Sequence, residues 1–186
     1  MPALVSIPPF DATGVLPPVM GSPTTVSSQS PYRVSLVDVV QRFSGSEERR
    51  AILRGFLAYR AALHGAGLTR GFQWLDGSFE EQVELLEGRA PKDIDVVTFV
   101  GCQEGPVTLQ AGQLFLADYT KTQFHVDAYS VNLGLSQEAI VRRATYWYGL
   151  FSHRRDRHWK GLLEIDLAPV EDALATKMLD DAEVVL

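Results

Sequence analysis

GFQWLDGSFEEQVELLEGRAPKDIDVVTFV, residues 71–100, is the stretch from which the rest of the chain is read. A short apolar run, GFQWLD (71–76), predicts a strand that ends at Gly77-Ser78. FEEQVELLEG (79–88) predicts a short acidic helix, broken by Arg89-Ala90-Pro91. Proline lacks the amide hydrogen and restricts the residue before it, so the helix cannot pass this point. IDVVTFV (94–100) then predicts a buried strand. Asp93 and Asp95 stand one residue apart where that strand begins. Alternate residues of a strand share a face, so both carboxylates project the same way. Two such charges repel, and ionising both in a partly buried place is costly. A strand needed only for a core would not carry them. A divalent cation removes the conflict, because Mg²⁺ takes one or two carboxylates and fills its other positions with water and substrate phosphates.

A third carboxylate, Asp127, lies in QFHVDAYSV (123–131), a second predicted strand that can pair beside the first. Three acids converging from two strands can hold one or two metals for in-line attack at phosphorus. The phosphates need a cradle, and Gly77 lets the backbone approach a ligand closely. Ser78 supplies a hydroxyl and is expected to open the following helix, whose first N–H groups favour an anion.

The bulk properties narrow the setting. A chain of 186 residues suits one domain with a real core. Its net charge of −6 argues against a broad nucleic-acid or anionic-membrane surface, which needs excess Lys and Arg. It leaves room for a nucleotide, since a bound metal reverses local charge. Cys102 is the single cysteine, so no internal disulfide forms. MPALVSIPPFDATGVLPPVM has neither the basic start nor the unbroken apolar stretch of a signal peptide, and no run is long enough to span a bilayer. The expectation is a cytoplasmic protein.

Residues 1–31, rich in Pro, Gly, Ser and Thr but dotted with apolar side chains, predict an extended arm lying over a single domain at 32–186. YRVSLVDVVQRF (32–43) is the first regular element, and 46–65 predicts a helix capped by Ser46 and stopped by Gly65. Segment 107–117 has no clear pattern. Residues 136–144 predict a turn or two of helix capped by Ser136. YWYGLFS (146–152) and WKGLLEIDL (159–167), joined by HRRDRH, predict a β-hairpin. An acidic helix is expected from Val170. The fold class is therefore α/β (α+β), a small mixed sheet flanked by helices with a C-terminal hairpin.

His125 sits two residues before Asp127, on its face if both are in the strand, while His153 and His158 flank the arginine-rich turn. None has the spacing of a zinc motif, and Cys102 has no partner cysteine. Tyr146, Trp147, Tyr148, Phe151 and Trp159 are expected to pack the hairpin onto its core.

The order strand, Gly-Ser, helix, Asp-x-Asp strand, later Asp strand resembles the nucleotidyltransferase superfamily of the polymerase-beta-like fold. More narrowly, it resembles a family of small bacterial proteins of that fold, through Leu16-Pro17-Pro18, WLDGSF (74–79), PKDIDVV (91–97), HVDAY (125–129) and YWYGLFSHRRDRHWKG (146–161). The resemblance implies phosphate contact at Gly77 and Ser78. It implies metal ligation by Asp93, Asp95 and Asp127, with Mg (or Mn) as the ion and ATP as the expected nucleotide. It says less of Lys92, Arg154, Arg155 and Lys160, basic residues placed to meet a phosphate or a partner. The spacer before Asp93 is slightly longer than the usual pattern and brings Glu80, Glu81, Glu84 and Glu87 close to where a polyphosphate should lie. The implied reaction moves a nucleotidyl group from an NTP to a hydroxyl of a protein, RNA or small-molecule acceptor, in a setting that includes toxin–antitoxin or phage-defence pairs. The competing reading is a catalytically inactive module of the same fold, acting as a regulatory or antitoxin-like protein-binding partner.

Overall fold

The computed structural model of the protein describes residues 3–103 and 105–184. Its elements in chain order are β1 (Tyr32–Arg33), α1 (Leu36–Phe43), α2 (Glu47–Gly65), β2 (Gly71–Asp76), α3 (Val83–Glu87), β3 (Ile94–Val100), α4 (Ala117–Phe124), β4 (Val126–Asn132), α5 (Gln137–Phe151), β5 (Leu163–Asp166) and α6 (Asp172–Val184). The strands make one mixed sheet in the order β1-β5-β2-β3-β4. β2 is antiparallel to β3 and β5, whereas β3 and β4 are parallel. A parallel pair needs a long crossover, which the segment carrying α4 supplies. The mixed sheet flanked by helices is thus the expected α+β class.

The strand side chains divide by parity between two apolar clusters. Leu75, Ile94, Val96, Val126, Ala128, Leu163 and Ile165 join residues of α1, α2 and α6. Trp74, Val97, Phe99 and Val131 face the other way and pack with Trp147 and Phe151 of α5. Asp76, Asp95 and Asp127 share the parity of this second set, so they belong to the α5 face of the sheet.

Serine caps start three of the helices. Ser35, Ser46 and Ser136 each accept a hydrogen bond from the backbone N–H three residues on, at 3.0, 3.3 and 3.3 Å. Gly55 lets α2 press against α4, because a Cβ there would collide with the carbonyl of Phe124. Arg60 of α2 is 1% exposed, and its guanidinium donates to both carboxylate oxygens of Asp172 at 2.8 Å and to Gln73 Oε1 at 2.6 Å. A fork that meets its acid with two parallel bonds ties α2, β2 and α6 together.

The described part of the N-terminal arm runs over this framework. Val5 N donates to Arg33 O, Gln82 N to Gly14 O and Gly161 N to Leu16 O, and Val15 and Leu16 are fully buried. The arm thereby holds the loop that follows Gly77.

Two expectations fail. YWYGLFS is not a strand of a hairpin, because α5 runs through to Phe151 and only a single bridge, His153 to Trp159, closes the turn beyond it. The residues have high strand propensity, but Trp147 and Phe151 are four apart and meet the apolar face of the sheet together. Tertiary packing overrides propensity here. Likewise QFH (123–125) is not part of the Asp127 strand. α4 continues to Phe124, and His125 closes it in the left-handed region at φ 55°. His125 is exposed and off the strand, so it does not share the face of Asp127.

Candidate active site

The register of the sheet builds the site. Asp76 of β2 pairs with Asp95 of β3, and Asp95 pairs with Asp127 of β4. Three carboxylates therefore stand in one row across three adjacent strands. The next row on the same face is Trp74, Val97 and Tyr129, so the acids rest on an apolar floor. Asp93 lies just outside the strand end, beside the row.

The row edges an open cleft of about 890 Å³. Gly77, Ser78, Lys92, Asp93, Asp95, Asp127, Arg154 and Lys160, all named from the sequence, line it together. So do Asp76, Lys121, Tyr129, His153 and Arg155. Arg89, Lys92, Arg154 and Arg155 line the cleft with the acids of the sheet, and Glu81, Glu87 and Asp156 line it too. His125 is not part of it.

Gly77 turns the chain at φ 91°, a conformation few other residues adopt, and a Cβ there would collide with Asp95 Oδ2. The glycine lets the turn sit directly against the central carboxylate. Ser78 opens only a three-residue 3-10 turn, and α3 after it has five residues. The helix N-terminus expected to favour an anion is therefore too short to act as one.

The glutamates of the spacer are paired or buried, although Glu81 and Glu87 still line the cleft. Glu84 is clamped by Arg49, with Nε at 2.6 Å from Oε1 and Nη2 at 2.9 Å from Oε2. Glu87 meets Arg89 at 2.8 Å and Arg154 at 3.0 Å. Glu81 meets Lys160 at 2.8 Å and Arg154 at 3.3 Å. Glu80 is buried beside Asp76, and burial first, then the charge of Asp76, pushes its carboxyl well above the usual range.

Lys160 corrects a sequence reading. It is 2% exposed and pairs with Asp76 and Glu81, each at 2.8 Å. Burial acts to lower its pKa, but the two carboxylates outweigh this and raise it. It is a buried counter-ion of the acid row, not a surface cation waiting for phosphate. Arg154, paired with two glutamates, is partly engaged in the same way.

At the other end of the row Lys121 of α4 brings Nζ to 2.6 Å from Asp127 Oδ2 and 3.9 Å from Asp93 Oδ2. Its pKa is raised, foremost by the hydrogen bond to Asp127. Asp127 Oδ1 is buried without a hydrogen-bond partner. Between the two lysine-capped ends, Asp95 makes no ion pair among the described residues. Burial first, then the charges of Asp76, Asp127 and Asp93, push its carboxyl up to about 7. Asp76 is pushed up to about 6 by burial, against the pull of Lys160.

Residues 8–166 match the model of a family of unknown function, DUF6932. The chain belongs to this family. No curated protein and no solved structure matches it. The matched span contains the whole cleft and ends with β5. No helix among the described residues is long and apolar enough to cross a membrane.

Among the described residues no three His, Cys, Asp or Glu side chains form a ready cage for a metal. The geometry gives the reason: lysines hold Asp76 and Asp127. Asp93 too lies 3.9 Å from Lys121, so Asp95 is the carboxylate of the cluster that makes no ion pair among the described residues.

Two contributors were missed in the sequence. Asp76 had a signal, since it shares the strand parity of Trp74 and directly precedes Gly77. Lys121 had none, because only the fold of α4 against β4 brings it to Asp127.

Proposed function

We propose that the protein is a metal-dependent nucleotidyltransferase that moves a nucleotidyl group from an NTP, with ATP the first to test, to a hydroxyl acceptor. The observation that carries this is the row Asp76, Asp95, Asp127 in a cleft that Lys92, Arg154 and Arg155 also line, with Gly77 turned against its centre. Asp93 and Asp95 would hold Mg²⁺ or Mn²⁺. When bound, the ion neutralises the phosphates and polarises the α-phosphorus. Lys92, Arg155 and Arg154, which line the same cleft, would present cations to the phosphate oxygens. The acceptor oxygen bonds to the α-phosphorus as the bond to the bridging oxygen breaks, and pyrophosphate leaves. The acceptor proton passes to Asp127, which lines the cleft.

The test is thermal unfolding with ATP and Mg²⁺, with Mg²⁺ alone, and with ATP and EDTA. Binding needs no acceptor. Ligand at a hundredfold over its Kd stabilises by about 2.7 kcal/mol, and at roughly 2–4 °C per kcal/mol the midpoint should rise by about 5–11 °C. Asp95→Ala should remove the metal-dependent rise. A flat wild-type response with every nucleotide would sink the proposal.

One observation favours the second reading, a non-catalytic module that works through a protein partner. Lys121 and Lys160 already neutralise two of the three acids in the row. That flat response is the outcome this reading expects.

A further inference from the structure

The two edges of the sheet differ. β1 has only two residues and carries Arg33, and the N-terminal arm covers it, with Val5 N donating to the outward carbonyl of Arg33 at 2.8 Å. β4 stands at the opposite edge with seven residues in unbroken register, no proline and no lysine. Natural sheets blunt an edge by shortening, charging, bulging or covering it. The one charge on β4, Asp127, is tied to Lys121. The pairing with β3 fixes which backbone groups are free. Ile94 N donates to His125 O at 3.0 Å and Leu133 N to Val100 O at 2.9 Å, so the odd-numbered residues between them turn their N–H and C=O toward β3. Successive residues alternate, so Val126, Ala128, Ser130 and Asn132 turn theirs outward. Among the described residues no backbone group outside β3 bonds to Ala128 or Ser130, and Ser130 and Asn132 are exposed. A row of N–H and C=O groups at this spacing is complementary to another strand.

We propose that β4 pairs with β4 of a second copy, antiparallel about Tyr129, and joins the five strands of each chain into one continuous sheet. In that register the strand overlaps itself in full. Val126 stands opposite Asn132 of the second copy, Ala128 opposite Ser130, and Tyr129 opposite itself on the two-fold axis. Ala128 and Ser130 exchange both N–H···O bonds on each side of the axis. The side chains agree with this register. Asp127 falls opposite Val131, so no like charges meet, and the two copies of Tyr129 make an aromatic cross-strand pair. α5 supplies an apolar flank. Tyr146 is 59% exposed, and its ring lies 5.1 Å from that of Trp147, which lies 4.6 Å from that of Tyr129. The two copies of Tyr146 would therefore meet beside the paired strands. The assembly closes at two copies, because only the covered β1 edges remain.

The test is sedimentation of the full chain over a range of concentrations. The wild type should reach twice the 20.6 kDa of the chain. Ser130→Pro removes an outward N–H at a position where an edge strand tolerates proline, and it should sediment as a monomer. Tyr146→Glu sets two carboxylates against each other beside the axis and should raise the dimer Kd by about tenfold or more. Thermal unfolding checks that each variant is folded, and Tyr146→Glu decides where Ser130→Pro is not. Cross-linking reads the register. In a Cys102→Ser background, Tyr129→Cys opposes two thiols across a non-hydrogen-bonded pair, with Cα atoms about 4.5 Å apart, and should oxidise to a covalent dimer. Ser130→Cys in the same background should not. A wild type that stays monomeric at every concentration overturns the inference and leaves the edge to a strand of another protein. A dimer unchanged by Tyr146→Glu, or cross-linked no better through position 129 than through 130, overturns it as well. None of these outcomes depends on what the cleft binds.

Discussion

Lys160→Met lowers the stability of the protein by about 3–5 kcal/mol, the usual loss when one member of a buried ion pair is removed. Lys160 is 2% exposed and stands 2.8 Å from both Asp76 and Glu81. Methionine fills much of the volume but leaves two buried carboxylates facing each other with Arg154 as the remaining cation near Glu81. For a chain of this length the midpoint should fall by about 6–20 °C. Replacing Asp76 by Asn in the same variant should restore part of the loss, since one uncompensated charge is then gone. A midpoint within 2 °C of wild type in Lys160→Met would show that the lysine is not the counter-ion of the row.

Asp95→Asn has the opposite sign. Its carboxyl, ordinarily near 3.8, is pushed up to about 7 in the folded protein, chiefly by burial and then by the neighbouring aspartates. A raised acid binds its proton more tightly folded than unfolded. Between about pH 4 and 7 the fold keeps a proton that the unfolded chain has released, so stability falls as pH rises through that window. Three units at 1.36 kcal/mol each set an upper bound of about 4 kcal/mol. Asparagine removes the charge, and at pH 8 the variant should be more stable than wild type by about 2–4 kcal/mol. The gain should shrink toward zero below pH 4. Asp76, pushed up to about 6, adds to the same slope in both proteins. Urea unfolding at pH 4, 6 and 8 measures the difference, and a gain that does not change with pH would refute the assignment. On the proposed metal-dependent reading, saturating Mn²⁺ should reverse the order, because the variant lacks the Asp95 charge. A site that destabilises the free fold and is relieved by ligand is the expected trade between stability and function.

Legibility differed from residue to residue. Gly77, Asp93 and Asp95 were readable because local rules govern them. A glycine at a strand end signals a backbone that others cannot adopt, and period-two alternation predicts one face for Asp93 and Asp95, although Asp93 lies just outside β3. Asp127 was readable as an acid in an apolar strand, although the strand begins three residues later than expected. The last turn of α4 carries strand-like residues, and the left-handed His125 that separates helix from strand leaves no local mark. YWYGLFS was misread for a related reason. Its aromatics suit a strand, and only the waiting apolar floor of Trp74, Val97 and Phe99 makes a helix the better solution. Lys160 was read as a cation placed to meet a phosphate or a partner, because burial of a lysine is a consequence of two distant acids, not of its neighbours in sequence.

By itself the sequence determined the mixed α+β class, the serine-capped starts of α2 and α5, and the paired carboxylates after a Gly-Ser turn. These follow from interactions within a few residues, which composition and periodicity record. The tertiary structure alone decided that Asp76 joins the row, that α5 covers its floor, and that a lysine closes each end. Those facts depend on strand register and on contacts between Lys121 and Asp127, across a helix end, and between Lys160 and Asp76, 84 residues apart in sequence. Charge balance in a buried site is set by which groups end up within a few ångström of one another, and that distance is a property of the fold.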